Sequence, residues 1–390
     1  MAKIPPVEIL HSPHAKAYPY HHHEGKLVVF TSMHAHYSMK KSAMAIGIGL
    51  SNIRLIPVDH VGRMDVDALR QAILRSIERK ERPFAVFLTA GTTVLGAFDP
   101  IAPVVKLCKE HGLWVHVDGS WGGAIMFSDR YGRERLAGIE GADSVTMNPH
   151  KLLGVPLMCS ALIMKDKHEL AEANHVKASY LFHGDSSSKL DLGEGSLGCG
   201  RRADSLKFVL TWIYYGREGL RKRVDLALDN AAYLRSEILK RQKMDDQKGS
   251  WELVFSEADF SNVCFWYYPP LKHNTKDGNG MKLSVLDYYR ELRKTRFDQF
   301  RSCMENVTMA IHKEMSTRGT FMVDYSPIEM PHWFKVGDDM TPVLSEHQNL
   351  PNVKLPHFWR AILNNPTITH RHLDAILDEI QDIGCYLLTK

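Results

Sequence analysis

The stretch Phe84–Gly123, FAVFLTAGTTVLGAFDPIAPVVKLCKEHGLWVHVDGSWGG, decides the fold. Phe84 to Thr89 is a short apolar run that stops at Ala90-Gly91-Thr92-Thr93. Ile101 to His111 has helical spacing, and Leu113 to Val117 is a second apolar run that ends in Asp118. Two near-continuous apolar strands joined by a helix read as a βαβ unit whose strands are parallel and buried on both faces. The alternation continues on either side. Upstream lie an apolar run at Leu27 to Phe30, a helix-like stretch from His36 to Leu50, and a helix over Val66 to Lys80 with Leu69, Ile73 and Ile77 on one face behind a cap at Asp65. Downstream, Ser144 to Met147 and Leu157 to Met164 are further strand candidates. The expected fold is α/β, a parallel sheet covered by helices on both faces.

Past Arg202 the character changes. A helical stretch to Tyr215 is followed by a long charged one from Glu218 to about Lys243, then by the breaker Gly249. The remainder mixes strands (Trp251 to Phe255, Asn262 to Tyr267, Phe321 to Tyr325, His357 to Leu363) with helices near Ser284 to Arg318 and Thr369 to Leu388. The last helix carries Leu373, Ile376, Leu377, Ile380, Ile383 and Leu387 on one stripe. Pro269 to Gly280 and Asp338 to Pro356 are rich in turn residues and read as loops. The expected organisation is an irregular N-terminal segment 1–27, a large domain 28–215, a connecting helix 216–249 and a smaller α+β domain 250–390.

Composition narrows the function classes. The chain has 390 residues, 44% of them apolar and 24% charged, which is ordinary globular composition and excludes disordered and fibrous classes. Its net charge of +4 is scattered, and the one dense basic stretch, Arg217 to Arg223, reads as a solvated helix face, so no nucleic-acid partner is expected. No apolar run approaches the roughly 18 residues of a membrane helix, and the first residues lack a signal-peptide pattern, so a soluble protein without a membrane partner is expected. The six cysteines, at 108, 159, 199, 264, 303 and 385, form no CxxC pair. That spacing argues against a disulfide framework or a zinc site and for a reducing, cytoplasmic compartment. His21-His22-His23 point in different directions along the chain and give no reason to expect a metal.

In an open α/β sheet, ligands gather outside the carboxyl ends of the strands, so polar residues just after buried runs are where chemistry is sought. Here these are His36 after the first strand, Thr92 in Ala90-Gly91-Thr92-Thr93, Asp118, and Asn148-Pro149-His150-Lys151. A lysine, a carboxylate, a threonine and a histidine on one edge form the set that pyridoxal 5'-phosphate requires: an amine for a Schiff base, an acid facing the pyridine nitrogen, and groups to hold the ring. The acid matters because the ring accepts electrons only while its nitrogen stays protonated, and a nearby negative charge favours that form.

The stretches FTSMHAHYSMKK, FLTAGTTVLGAFDPI, LWVHVDGSWGG, ADSVTMNPHKLLGVPLMCSALI, ASYLF, CGRRADSLKF and NVCFWYYPP resemble the group II pyridoxal-phosphate decarboxylases, in particular their glutamate and cysteine sulfinate branch. The resemblance runs from about Val28 to the C-terminus. It implies a PLP-dependent transferase large domain of the aspartate aminotransferase-like type, fold type I, and a homodimer. It also implies that Lys151 is the Schiff-base lysine, that Asp118 pairs with the pyridine nitrogen and that His36 stacks on the ring. Thr92 would sit against the ring substituents, with Asn148 and His150 contacting phosphate or positioning the lysine. The segment PHFWRAILNNP is similar to a family strand whose arginine, here Arg360, takes the substrate α-carboxylate in its planar fork.

The chain departs from the family in three places. Family members carry a longer N-terminal segment with dimer-forming helices and a Gly-Gly-Ser/Thr turn for the cofactor phosphate. Here 27 residues precede the first strand and hold no such turn, which implies a short form or an incomplete phosphate site. After Tyr180-Leu181-Phe182 the family places a loop with a proton-donating Tyr. This chain has HGDSSSKLDLGEGSLGCGRR, about two residues shorter and without a Tyr, with Ser186, Ser187 and Ser188 as poor donors. Gly119-Ser120 stands where the family has Ala-Ala, which makes Ser120 a possible donor to the cofactor. The expected function is decarboxylation of an amino acid, with glutamate, aspartate and cysteine sulfinate as candidates. The alternatives are decarboxylation coupled to oxidative deamination, giving an aldehyde, and a truncated, catalytically impaired relative.

Overall fold

The computed structural model describes residues 25–174, 195–198, 200–244, 246–255, 260–271, 283–331 and 352–389. Its first half builds one sheet from β1 (Leu27–Ser32), β2 (Ile53–Ile56), β3 (Arg82–Thr89), β4 (Trp114–Gly119), β5 (Ser144–Met147) and β6 (Ala161–Met164), in the order β2-β1-β3-β4-β5-β6. The helices here are α1 (Ser38–Ala45), α2 (Val66–Glu78), α3 (Ile101–Glu110), α4 (Gly132–Arg135) and α5 (Glu169–Asn174). Strands β1 to β5 are parallel, so Ser32, Thr89, Gly119 and Met147 all end on one edge.

Helix α2 shows how local sequence sets an element. The Asp65 carboxylate accepts from Ala68 N at 2.9 Å, Asp67 sits in the first turn and Arg75 in the last, each favourable to the helix dipole. Leu69 and Ile73 are fully buried, whereas Ile77, expected on the same face, is 47% exposed in the last turn.

Two expectations about this sheet need correction. Strand β6 runs antiparallel to β5, with Ser144 opposite Met164, because only residues 148–160 connect them and no crossover helix intervenes. The sheet is also unevenly covered among the described residues. Val28, Phe30, Val86, Leu88, Val115 and Val117 pack into one core with side chains of α2, α3 and the second half of α6 (Asp204–Gln242). On the opposite face α1 stands over half-buried Phe84, Phe87, His116 and Thr146, while Leu162 and Ile163 at the β6 edge are about half exposed. Strand β2, which has no clear signature in the sequence, forms the other edge by pairing with β1.

The helix α6 is interrupted at Gly216, whose φ of 61° is a conformation that glycine adopts without steric cost. Beyond it a second, antiparallel sheet contains β7 (Ser250–Leu253), β8 (Asn262–Tyr268), β9 (Asp324–Met330) and β10 (Val353–Ile362) in the order β7-β8-β10-β9. Helices α7 (Val285–Thr295), α8 (Phe297–Arg318) and α9 (His370–Thr389) complete this half. Every residue of β8 is buried: Cys264, Trp266 and Tyr268 enter one core, and Val263, Phe265 and Tyr267 enter the other with Leu373, Leu377, Ile380 and Ile383 of α9. This alternation is the two-residue period of a strand covered on both sides.

The loop expected to run to Pro356 ends earlier, since Val353 already pairs with Met330. The strand expected from Phe321 starts instead at Asp324. Pro356, which has no N–H to give, falls at a register irregularity between Leu355 and Phe358.

Candidate active site

The segments that follow the parallel strands are stitched together at the carboxyl edge by their own backbones. Ala90 N donates to Asp118 O at 2.9 Å, Gly122 N to Ala90 O at 3.0 Å, and Asn148 N to Ser120 O at 3.2 Å. Gly122 is required at this crossing, because a Cβ there would stand 2.5 Å from Ala90 O and 2.6 Å from the Phe98 ring. The edge is therefore a rigid platform.

Asp118 is the penultimate residue of β4, and Ser120 N donates to its Oδ1 at 3.0 Å, which aims the carboxylate. Lys151 lies in the turn after β5, its backbone N donating to Asn148 O at 3.0 Å. Burial pushes the Lys151 amine below the usual lysine range, and the attraction of Asp118 partly opposes this. The His36 imidazole is also pushed down by burial, with Asp118 raising it and Lys151 and Lys41 lowering it. Ser38 N donates to His36 Nδ1 at 3.3 Å, and Ser38 Oγ lies 2.9 Å from the same nitrogen, an arrangement that suits a neutral ring. The Asp118 charge thus acts on both Lys151 and His36, and the Lys151 charge on His36.

A cavity of about 390 Å3 opens between α1 and the strands, with Ser38, Phe87, His116, Asp118, Ser120 and Thr146 in its wall. Lys151 and His36 stand outside this lining. His116 is set two residues before Asp118 on the same strand face. Its Nδ1 is 2.8 Å from Ser144 Oγ and its Nε2 3.2 Å from Thr146 Oγ1. Neither His116 nor Thr146 was among the residues expected from sequence, although the two-residue period that carries Asp118 to this face also carries His116. A larger cavity, about 520 Å3, is walled by Arg63, Phe98, Asp99, Glu134 and Arg135 among others, and holds none of Lys151, Asp118 and His36.

The other sequence-derived candidates divide by what holds them. Thr92 is buried, and its Oγ1 accepts from Ala97 N at 3.0 Å, so this hydroxyl braces the 90–98 loop and keeps one proton to give. His150 Nδ1 lies 2.6 Å from Cys159 O and 3.1 Å from Cys159 N, which ties the lysine turn to the chain ahead of β6 and leaves only Nε2 for another partner. The buried Asn148 Oδ1 has no partner among the described residues. Arg360 reaches the platform from the second sheet: its Nη1 donates to Thr93 O at 2.6 Å and its Nη2 pairs with Asp324 at 2.6 Å. Asn262 Nδ2 donates to the next carbonyl, Val94 O, at 2.7 Å, so the small sheet and the 90–98 loop are clasped together. His21-His22-His23, Tyr180-Leu181-Phe182 and Ser186, Ser187 and Ser188 lie outside the described residues. No helix among the described residues is long and apolar enough to cross a membrane.

This donor set fits pyridoxal phosphate. A desolvated amine suits an aldehyde, an aimed carboxylate suits a pyridine nitrogen, and a neutral imidazole beside both suits a ring face. Comparison with known proteins agrees. The family model for the pyridoxal-dependent decarboxylase conserved domain matches residues 10–268. The acidic amino acid decarboxylase GADL1 of Xenopus tropicalis is 37% identical over 362 residues, covering 92% of this chain and 61% of that protein. The cysteine sulfinic acid decarboxylase of Mus musculus is 36% identical over 361 residues, covering 92% and 63%. The crystal structure of mouse CSAD superposes with a TM-score of 0.72 at 32% identity, covering 92% of this chain and 64% of that one. The chain spans about three-fifths of the length of these relatives. With a family model matched over well over half its residues and an edge furnished for that cofactor, the chain belongs to the pyridoxal-dependent decarboxylases.

Proposed function

We propose that this protein is a PLP-dependent carboxy-lyase that removes the α-carboxylate of an acidic amino acid, with glutamate, aspartate and cysteine sulfinate as the candidates. The observation that carries the reading is the joint placement of Lys151, Asp118 and His36 on one edge, where the Asp118 charge acts on both the lysine and the histidine. The acidic substrate class is supported by relatives named acidic amino acid decarboxylase and cysteine sulfinic acid decarboxylase.

When bound, pyridoxal phosphate supplies a protonated ring that takes up the electron pair left as carbon dioxide departs. The chain supplies the rest. Lys151, more readily neutral than an exposed lysine, would hold the cofactor through its side-chain nitrogen, the chain's nucleophile. Asp118 holds the proton on the ring nitrogen, and Ser120 N keeps that carboxylate in position. His36, held as a neutral imidazole, would lie against the ring face. Thr92 and Ser120 would hold its substituents, Asn148 would help position the lysine or contact the phosphate through its amide N–H groups, and His150 keeps the lysine turn in place. Arg360 receives the substrate α-carboxylate.

The reading extends to assembly and organisation. On the first half of α6, Leu206, Val209, Leu210 and Ile213 form a stripe at helical spacing that is 48–74% exposed, beside exposed Leu157 and Met158, whose carbonyls accept from Lys207 Nζ. This face supports a homodimer. The division into a large domain 28–215, a connecting helix 216–249 and a small domain 250–390, and a cytoplasmic setting, belong to the same reading.

Three experiments test it. Borohydride reduction of the cofactor-loaded protein, followed by peptide mapping, should leave the pyridoxyl group on Lys151, and carbon dioxide release should be seen with at least one of the three acids. A label on another lysine refutes the assignment, and no release from any of the three refutes the activity. Light scattering that finds a stable monomer refutes the homodimer.

A further inference from the structure

Strands β9 and β10 set Arg360 directly opposite Asp324. The two side chains are unequal partners: Arg360 is 13% exposed and Asp324 57%. A guanidinium has two edges that can grip a carboxylate with a pair of parallel N–H bonds. In Arg360, Nη1 is committed to Thr93 O, while Asp324 contacts Nη2 through Oδ2 alone and uses Oδ1 to accept from its own neighbour's amide, Tyr325 N, at 2.9 Å. The third donor, Nε, is buried and has no partner among the described residues. On the Nε–Nη2 edge, therefore, Nε is covered but unpaired, and Nη2 is held by an exposed carboxylate bound through one oxygen.

From this geometry we infer that Asp324 is an internal competitor for the carboxylate-binding edge of Arg360, and so a determinant of substrate affinity. The inference rests on the reading of Arg360 as the α-carboxylate partner. In the free protein Asp324 keeps the buried guanidinium paired. A ligand carboxylate takes Nε and Nη2 together and turns Asp324 out toward water, where its exposure lets it be solvated at little cost. The charge left behind still repels the incoming anion. Removing that charge should strengthen binding by about 3- to 10-fold, the range expected when an exposed ion pair no longer competes and a like charge is withdrawn.

The test uses the full chain and glutarate, a carboxylate without the reacting amine, measured by calorimetry on wild type, D324N, D324S and R360Q. Glutaramide serves as the uncharged control. D324N keeps the shape and an acceptor oxygen for Tyr325 N, and D324S serves if D324N is poorly folded. The expected result is 3- to 10-fold tighter glutarate binding in the Asp324 variants, at least 10-fold weaker binding in R360Q, and no change with glutaramide. With the cofactor-loaded protein, KM for the amino acid should fall by the same factor while kcat stays within about twofold. Unchanged glutarate affinity in R360Q would remove the reading of Arg360 itself. Binding that R360Q weakens but the Asp324 variants leave unchanged or weaken would overturn the competitor role alone, as would a lack of measurable glutarate binding in wild type and in the Asp324 variants.

Discussion

Asp99 is a buried acid beside the end of β3, and replacing it by Asn should change stability in a way that reverses with pH. Its Oδ1 accepts from Met64 N at 2.7 Å and its Oδ2 from Thr89 N at 2.8 Å, and the residue is 2% exposed. Burial pushes the carboxyl up to about 7 against the pull of the two amides, with the Asp59 charge adding to the rise. In the unfolded chain the same group titrates near 4. Between about pH 4 and 7 the unfolded state has already released a proton that the folded state still holds. Stability from this group is therefore full below pH 4, falls as pH rises, and is lost above about pH 7. Three pKa units at 1.36 kcal/mol each make the total loss about 4 kcal/mol.

An asparagine at this position has no such titration, but its NH2 must face one of the two amide donors, which leaves Met64 N or Thr89 N unpaired at about 1–3 kcal/mol. Asp99→Asn should therefore be less stable than wild type by about 1–3 kcal/mol at pH 4, lose that deficit by about 1.4 kcal/mol per pH unit as pH rises toward 7, and be equal to it or more stable at pH 8.5. Urea denaturation of both proteins at pH 4, 5, 6, 7 and 8.5 measures the difference directly, since the other titrating groups are common to the pair. A difference that stays constant across that range would show that the two amides keep Asp99 ionised throughout and that burial does not dominate.

Three further outcomes are expected. Asp118→Asn should still take up the cofactor, followed by its visible absorbance, but should release carbon dioxide about 10²- to 10³-fold more slowly, as for loss of one preorganised electrostatic group. Because Asp118 opposes the effect of burial on Lys151, the pH dependence of cofactor association should also move to lower pH, and a shift upward or none contradicts the pairing. Gly122→Ala should cost about 1–3 kcal/mol, because the new Cβ meets the Ala90 carbonyl and the Phe98 ring, and cofactor retention should weaken with it; an unchanged melting temperature would show that the platform yields. Phe300→Ala, which empties a fully buried ring site beside Trp266, Tyr268 and Phe297, should lower unfolding free energy by about 3–5 kcal/mol in urea.

What the sequence by itself determined is what depends on a residue and its near neighbours. The strand at Ser144–Met147 has the bounds its apolar run indicates, the Asp65 cap and the Leu69–Ile73 face define α2, and the stripe Leu373–Leu377–Ile380–Ile383 is buried as its period requires. Asp118, His36 and Lys151 were legible as a group because each follows a buried run, and parallel strands bring such positions to one edge. The partners of these elements were left to the tertiary structure. That β6 turns back antiparallel, that β2 joins the sheet edge, that one face stays half open and that β10 begins at Val353 all follow from which strand each segment pairs with, and no local period encodes that choice. Arg360 was legible as an arginine at a strand, but its hold on Thr93 O and its pairing with Asp324 come from residues 267 and 36 positions away in the chain. Asp99 is the sharpest case, because in sequence it is an acid before a proline. Only the convergence of β3 and the backbone at Met64 supplies two amides to its carboxylate and removes it from water, and the energy of a buried charge is set by what surrounds it in space.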